Sequence, residues 1–266
     1  GIGGKTVLDY LIKVKELPFT EAVERIVGRA AERPSVFHAR AQPEKPKTLL
    51  LPPKSNSNTR VIAYLKSRGI DGGLIEQCIR SGQLYESLPY HNAVFVGMDR
   101  NGTPRYACLR GIGTDFKGEA TGSDKRFSFA LPATGESRML CVFESAIDLL
   151  SYATMAQAGG LSWRSQHLLS LAGVYKPQKE TQEHRLPLAL TQYLKDHAEI
   201  KTICLCLDND MTGRSATEAI RQQLAERYKV ASAFPRQGKD YNDWLCIRMG
   251  LQPAKENPMT ERSFAR

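Results

Sequence analysis

The chain has 266 residues, 41% of them hydrophobic and 24% charged, which is enough apolar side chain for one or two cores and excludes a wholly disordered chain. Its formal charge of +9 favours a polyanionic partner such as nucleic acid without identifying one. With no apolar run of about 18 residues and no basic stretch leading into an apolar one at the start, neither a membrane partner nor secretion is expected, and the chain reads as cytoplasmic.

In chain order, residues 1–33 carry apolar side chains at Val7, Leu8, Leu11, Ile12 and Val14, then at Ala22, Val23, Ile26 and Val27. That spacing predicts two short amphipathic helices broken at Leu17-Pro18. Residues 34–58 hold Pro34, Pro43, Pro46, Pro52 and Pro53 with little periodicity and read as a flexible or irregular linker. Residues 59–137 predict an α+β subdomain. Helices start near Thr59 and Gly72, and β-rich runs at 93–98 and 105–110 flank Asp99-Arg100-Asn101-Gly102, where Asn-Gly signals a hairpin.

From 138 to 250 the pattern alternates strand and helix. Apolar runs at 139–143, 167–171, 203–207 and 229–234 are separated by helical patterns at 146–158, 186–196 and 213–228. Continuous apolar strands joined by helices predict an α/β domain, a mostly parallel sheet with helices on both faces. Residues 251–266 read as a tail. The six cysteines, Cys78, Cys108, Cys141, Cys204, Cys206 and Cys246, contain no CxxC pair and are expected as buried free thiols, with neither zinc ligands nor disulfides. His167, His184 and His197 show no metal-ligand spacing and read as ordinary core or surface residues.

Two apolar strands run straight into carboxylates: 139–143 into Glu144, and 203–207 into Asp208-Asn209-Asp210. In a parallel sheet both ends lie at the same edge, where functional groups gather. Like charges placed so close are unfavourable unless a cation neutralises them, and hard oxygen ligands suit Mg2+ or Mn2+.

At these residues the sequence resembles the Toprim family, shared by bacterial primases, type IA and type II topoisomerases and certain nucleases. Its strand-Glu-Gly motif, with an Asp four residues after the Glu, stands as Val142-Phe143-Glu144-Ser145-Ala146-Ile147-Asp148, with Ser145 in place of glycine. Its Asp-x-Asp-x-x-Gly motif is Asp208-Asn209-Asp210-Met211-Thr212-Gly213, and Lys239-Asp240-Tyr241-Asn242-Asp243 matches a third. Upstream, Tyr64-Leu65-Lys66-Ser67-Arg68-Gly69-Ile70 resembles the segment that precedes Toprim in primases and in the primase-like proteins of plasmids and conjugative elements. Residues 3–23 resemble the stretch that closes a primase zinc ribbon, here without Cys or His ligands, so the chain either begins downstream of them or has lost the metal.

The resemblance implies a primase-like, divalent-metal-dependent nucleotidyltransferase acting on single-stranded DNA, in replication or transfer of a mobile element. Its partners would be nucleoside triphosphates and a helicase or relaxase. It assigns catalysis and Mg2+ or Mn2+ binding to Glu144, Asp208 and Asp210. Phosphate contact falls to Arg110, Lys125, Arg126 and Lys239, the first three expected to face the acidic cluster, and supporting roles to Asp148, Asp240 and Asp243. A Toprim nuclease and a catalytically idle nucleic-acid-binding module remain as alternatives, whereas a topoisomerase needs a strand gate for which this length has no room.

Overall fold

The structure, a computed structural model, describes residues 10–12, 15, 17–18, 21–22, 48–171, 173 and 186–253. The chain divides into two units, Gly1–Pro46 and Lys47–Arg266. In the first, residues 10–12 and 21–22 are helical, and Leu17 and Pro18 are not. The rest of the two expected helices, residues 34–47 of the expected linker, and the tail beyond residue 253 lie outside the described residues.

The second unit opens with helices α1 (Thr59–Ser67) and α2 (Gly72–Arg80). Asp71 caps α2 by accepting from the Leu74 amide at 2.9 Å, which satisfies a backbone donor that a helix start leaves orphaned. Strands β1 (Leu84–Glu86), β2 (Ala93–Met98), β3 (Pro104–Arg110) and β4 (Lys117–Glu119) follow as an antiparallel sheet in sequence order. The β2–β3 hairpin forms where Asn-Gly predicts it. Asp99 Oδ1 accepts from the amides of Asn101 and Thr103 at 2.9 and 3.0 Å, and Gly102 supplies the left-handed backbone, φ 75°, that the turn requires.

Residues 48–58 of the Pro-rich stretch are irregular in backbone yet pinned to this sheet. The Leu50, Ser55 and Leu88 amides donate to the carbonyls of Thr121, Glu86 and Pro53 at 2.9, 2.8 and 2.8 Å. Leu49 and Leu51 pack against Tyr85, Val94 and Val96.

The second sheet contains β5 (Ala130–Leu131), β6 (Met139–Phe143), β7 (His167–Ser170), β8 (Thr202–Leu205) and β9 (Lys229–Ser232), in the order β5-β7-β6-β8-β9. All neighbours are parallel except β5, which runs antiparallel to β7. Helices α3 (Ala146–Ala158), α4 (Leu188–Asp196), α5 (Met211–Leu224) and α6 (Tyr241–Arg248) cover it. The period of two along β6 sorts the faces. Cys141 and Phe143 belong to a core with Leu149 and Leu150 of α3 and Tyr241 and Leu245 of α6. Leu140 and Val142 belong to another with Leu190 of α4 and Ile220 and Leu224 of α5.

The first of these cores also takes in Val61 and Leu65 of α1, Ile75 of α2, Phe95 of β2 and Tyr106 of β3. The sequence pattern changes at residue 138, but packing runs across that point. Elements that the sequence did not predict are β1, β4, β5, a 3-10 turn at Trp163–Ser165 and α6, each eight residues or shorter and too brief to develop a clear period. Among the described residues, no helix is long and apolar enough to cross a membrane.

Gly97 sits at the irregularity in the β2–β3 register, and a Cβ built there would lie 1.9 Å from the Phe127 carbonyl oxygen. Backbone of the following segment occupies that space, so relief requires moving main chain. Gly97→Ala is expected to lower the unfolding free energy by about 3 kcal/mol, measured by urea denaturation; an unchanged midpoint would contradict this packing.

Candidate active site

Strands β6 and β8 lie side by side with Val142 opposite Leu205, and the pairing continues where the Cys206 amide donates to the Val142 carbonyl at 2.8 Å. Glu144 and Asp208 therefore leave the sheet at the same edge. Each turn from strand to helix is closed by a polar cap. Ser145 Oγ accepts from the Asp148 amide at 3.2 Å, Asp210 Oδ1 from the Gly213 amide at 2.8 Å, and Asp240 Oδ1 from the Asp243 amide at 2.7 Å. The N-termini of α3, α5 and α6 thus converge on this edge, and the positive ends of their dipoles oppose its negative charge.

Gly213 is required by space: a Cβ there would lie 2.2 Å from the Asp208 carbonyl oxygen. Ser145, standing where the resembling motif has glycine, has φ −127°, an extended conformation open to any residue, so the substitution strains no backbone.

The turn before α6 closes the site from the other side. The Asn209 amide donates to the Lys239 carbonyl at 2.7 Å, and the Lys239 amide donates to Asp243 Oδ2 at 3.0 Å. Lys239 Nζ then stands 3.8 Å from Asp208 Oδ2 and 3.6 Å from Asp210 Oδ2.

Behind it Asp148, 6% exposed, accepts from Ser145 Oγ at 2.5 Å and from the Asn242 amide at 3.3 Å. Asn242 in turn accepts from Arg68 Nη1 at 2.8 Å and donates to the Arg68 carbonyl and to Ser151 Oγ at 3.0 and 2.9 Å. Neither Arg68 nor Asn242 was expected among the site residues. The available signal was their place inside quoted motifs, the Arg-Gly-Ile segment and the Lys-Asp-x-Asn-Asp turn. Arg68 also lines an open cleft with Arg60, Tyr64, Ser67 and Ile112.

Crowding shows in the proton affinities. Burial, then the charge of Asp210, pushes Glu144 up to about 7, and Glu144 Oε1 is buried without a hydrogen-bond partner. Burial, followed by Asp148, Glu144 and Asp240, pushes Asp208 up to about 8 against the opposing pull of Lys239. Asp240 rises to about 7, first through burial and then through Asp148. Burial likewise raises Asp148. One ammonium does not balance these carboxylates.

The structure thus gathers Glu144, Asp148, Asp208, Asp210, Lys239, Asp240 and Asp243 at one edge. It gives Arg110, Lys125 and Arg126 partners elsewhere. Arg110 Nη1 donates to the Leu109 carbonyl at 3.3 Å, Lys125 Nζ lies 3.0 Å from Glu119 Oε1, and Arg126 binds Asp124 with its Nη2 at 2.6 Å. No described hydrogen bond or ion pair of these three reaches the acidic edge, because acids nearer in sequence neutralise Lys125 and Arg126.

Among the described residues, two other groups of side chains bring their ligand atoms within 4.8 Å of one another, Cys141 with Cys204 and Cys206, and His167 with His197 and Glu199. The sequence shows neither group, because each joins one residue to two others that lie 30 or more positions away in the chain. All six cysteines are free, and five are buried. His184 lies outside the described residues.

A mostly parallel five-stranded sheet with carboxylates at the ends of its central strands and helices on both faces defines a Toprim-type α/β domain. Residues 141–245 match the family described as Toprim-like. Residues 63–135 match a family described as a protein of unknown function, DUF3991. A 65 kDa protein of Zymomonas mobilis is 26% identical over 212 residues, 75% of this chain and 33% of its own length. A protein of Bacillus anthracis is 27% identical over 168 residues, 59% of this chain and 44% of its own. The chain therefore spans less than half the length of either relative. The primase fragment of the bacteriophage T7 primase-helicase superposes with a TM-score of 0.46 and 19% identity, covering 70% of this chain and 69% of that one.

The raised proton affinities predict how stability varies with pH when no divalent ion is supplied. Glu144 and Asp208 ordinarily titrate near 4.5 and 3.8, so above those values the unfolded chain has released protons that the native state still holds. Unfolding free energy should therefore fall as pH rises from about 4 to about 8. Asp208→Asn should flatten that fall and match or exceed the parent at pH 8. Thermal unfolding in EDTA across this range tests it; a variant less stable than the parent at pH 8 would show that repulsion does not govern the edge.

Proposed function

We propose that the chain is a primase-like nucleotidyltransferase that joins nucleoside triphosphates on single-stranded DNA. The observation that carries this reading is the convergence of Glu144, Asp208 and Asp210 beside Lys239, with a buried oxygen of Glu144 left unpartnered. A set of carboxylate oxygens with excess negative charge fits Mg2+ or Mn2+. A divalent ion held by Asp208, Asp210 and Glu144 would neutralise charge developing on the transferring phosphate. The upstream resemblance to primases, from Tyr64 to Ile70, supports synthesis over cleavage.

In this reading the 3′-hydroxyl of the growing primer attacks the α-phosphorus of the incoming triphosphate. The new phosphodiester bond forms as the bond to pyrophosphate breaks. Glu144, at the end of β6, is assigned to accept the hydroxyl proton or else to serve as a further ligand of the ion. Asp208 and Asp210 face the phosphates from the end of β8. Lys239 Nζ balances charge on the triphosphate, and Asp240 and Asp243 hold its loop through the caps of α6. Asp148, tied to Ser145 and Asn242, orients the turn that carries Glu144. Arg68 and Arg60, in the open cleft, are suited to the DNA backbone. Arg110, Lys125 and Arg126 are assigned to template more remote from the reacting phosphate. A helicase or relaxase as partner, and a place in replication or transfer of a mobile element, complete this reading.

The test is primer synthesis by the full chain on single-stranded DNA, with ribonucleotides or deoxynucleotides and Mg2+ or Mn2+. Short products that require the ion are expected. Glu144→Gln should reduce them by about 100-fold or more, and Asp208→Asn and Asp210→Asn should abolish them while Mg2+ loses its stabilising effect on the fold. Template cleavage would select the nuclease reading. Metal-independent binding without turnover would select the idle module.

A further inference from the structure

At the opposite end of the sheet lies a group of side chains that the proposed reaction does not use. His167 is the first residue of β7, His197 follows α4, and Glu199 stands in the turn leading to β8. Glu199 Oε1 lies 2.9 Å from His197 Nδ1 and 3.8 Å from His167 Nε2, and the ligand atoms of all three lie within 4.8 Å of one another. His167 is 3% exposed, yet its Nε2 is buried without a hydrogen-bond partner. A buried polar atom left unpaired is costly and calls for an explanation.

We propose that His167, His197 and Glu199 form a binding site for a zinc-class divalent transition metal, with a fourth position open to water. Two imidazole nitrogens and a carboxylate suit zinc and its neighbours better than magnesium or calcium, which prefer oxygen alone. Ligand atoms about 2.0–2.1 Å from a tetrahedral ion stand roughly 3.3 Å apart, and the observed 2.9 and 3.8 Å bracket that separation. Small side-chain shifts therefore complete the site.

Coordination through Nε2 requires the proton of His167 on Nδ1. Tyr193 Oη, 3.0 Å away, is placed to accept it, the kind of outer contact that orients metal-bound histidines. The Ala133 amide donates to the same Nδ1 at a longer 3.4 Å, a contact that metal binding would exchange for the one to Tyr193. Burial, then the neighbouring His197, lowers the proton affinity of His167, which keeps the imidazole neutral as a ligand must be. His197 stacks on Tyr193, ring centroids 4.3 Å apart. The more exposed His197 and Glu199, with side chains 19% and 48% accessible, leave a path for the ion and for water. Bound metal would staple the end of α4 and the turn before β8 to the start of β7, a strand's length of roughly 15 Å from the carboxylate edge.

The full chain without a histidine tag, stripped with EDTA and dialysed, is titrated with Co2+ and, against a chromophoric chelator, with Zn2+. One tight equivalent is expected, with the visible absorption of tetrahedral Co2+ in nitrogen and oxygen ligands and a raised Tm. His197→Ala and the isosteric Glu199→Gln should each weaken it at least tenfold, and Asp208→Asn should leave it unchanged. Glu199 lies at the surface and His197 is partly exposed, and Glu199→Gln keeps the test open if His197→Ala does not fold. No uptake, equal uptake by the parent and Glu199→Gln, or loss in Asp208→Asn would overturn the proposal. So would a thiolate-to-cobalt charge-transfer band, which would move the ion to the Cys141, Cys204 and Cys206 group.

Discussion

Repulsion among partly buried carboxylates at one edge of a parallel sheet is the constraint around which this structure is arranged. Glu144 and Asp208 are carried there by strands whose apolar residues fix them in register, so neither can withdraw without unpairing β6 from β8. What opposes the repulsion is local: three helix N-termini, the Lys239 ammonium, and hydrogen bonds that give Asp148 and Asp240 donors. These oppose the excess charge without cancelling it, and the remaining negative imbalance is the quantity that a cation can exploit. A site of this kind costs stability in the free protein and recovers it on binding.

The two-faced character of β6 explains how a strained edge is tolerated. With Leu140 and Val142 buried on one face and Cys141 and Phe143 on the other, the strand is clamped by two cores, and movement toward relief of charge would open both. Phe143 alone meets Tyr152 and Tyr241, with ring centroids 5.1 and 5.4 Å away. Through this contact the body of α3 and the start of α6 grip the strand that ends in Glu144. Rigidity at the edge is thus supplied by apolar packing on either side of it, and the polar caps only set the final direction of each turn.

The alternating half of the fold was legible because its apolar runs are long enough to show their period; α3 spans the residues that its pattern marks, Ala146–Ala158. Boundaries slipped where a cap intervened: α5 starts at Met211, two residues before the expected Gly213, because Asp210 ends the loop as its cap. Short strands such as β5, only two residues long, hold their place through partners distant in sequence and leave no local trace. The acids and Lys239 were legible as motifs. Arg110, Lys125 and Arg126 join them through the upstream resemblance and their charge, and charge without topology does not say which acid a cation meets. The histidine and cysteine clusters were invisible for the complementary reason, since parallel pairing sets Cys141 against Cys204 across more than sixty residues of sequence.

A second link between the upstream subdomain and the acidic edge, beside the shared apolar core, runs through polar atoms. Arg68, just past the end of α1, grips Asn242 through its guanidinium and its carbonyl; the Asn242 amide holds Asp148; and Asp148 holds Ser145, which caps the turn after Glu144. Every step is a hydrogen bond of 2.5–3.3 Å among buried or half-buried groups, where a missing partner is expensive. The serine that replaces glycine in this motif is therefore part of the connection, because a glycine would offer no hydroxyl to donate to Asp148. The subdomain that carries the open, arginine-lined cleft and the turn that aims Glu144 are in this way parts of one hydrogen-bonded frame.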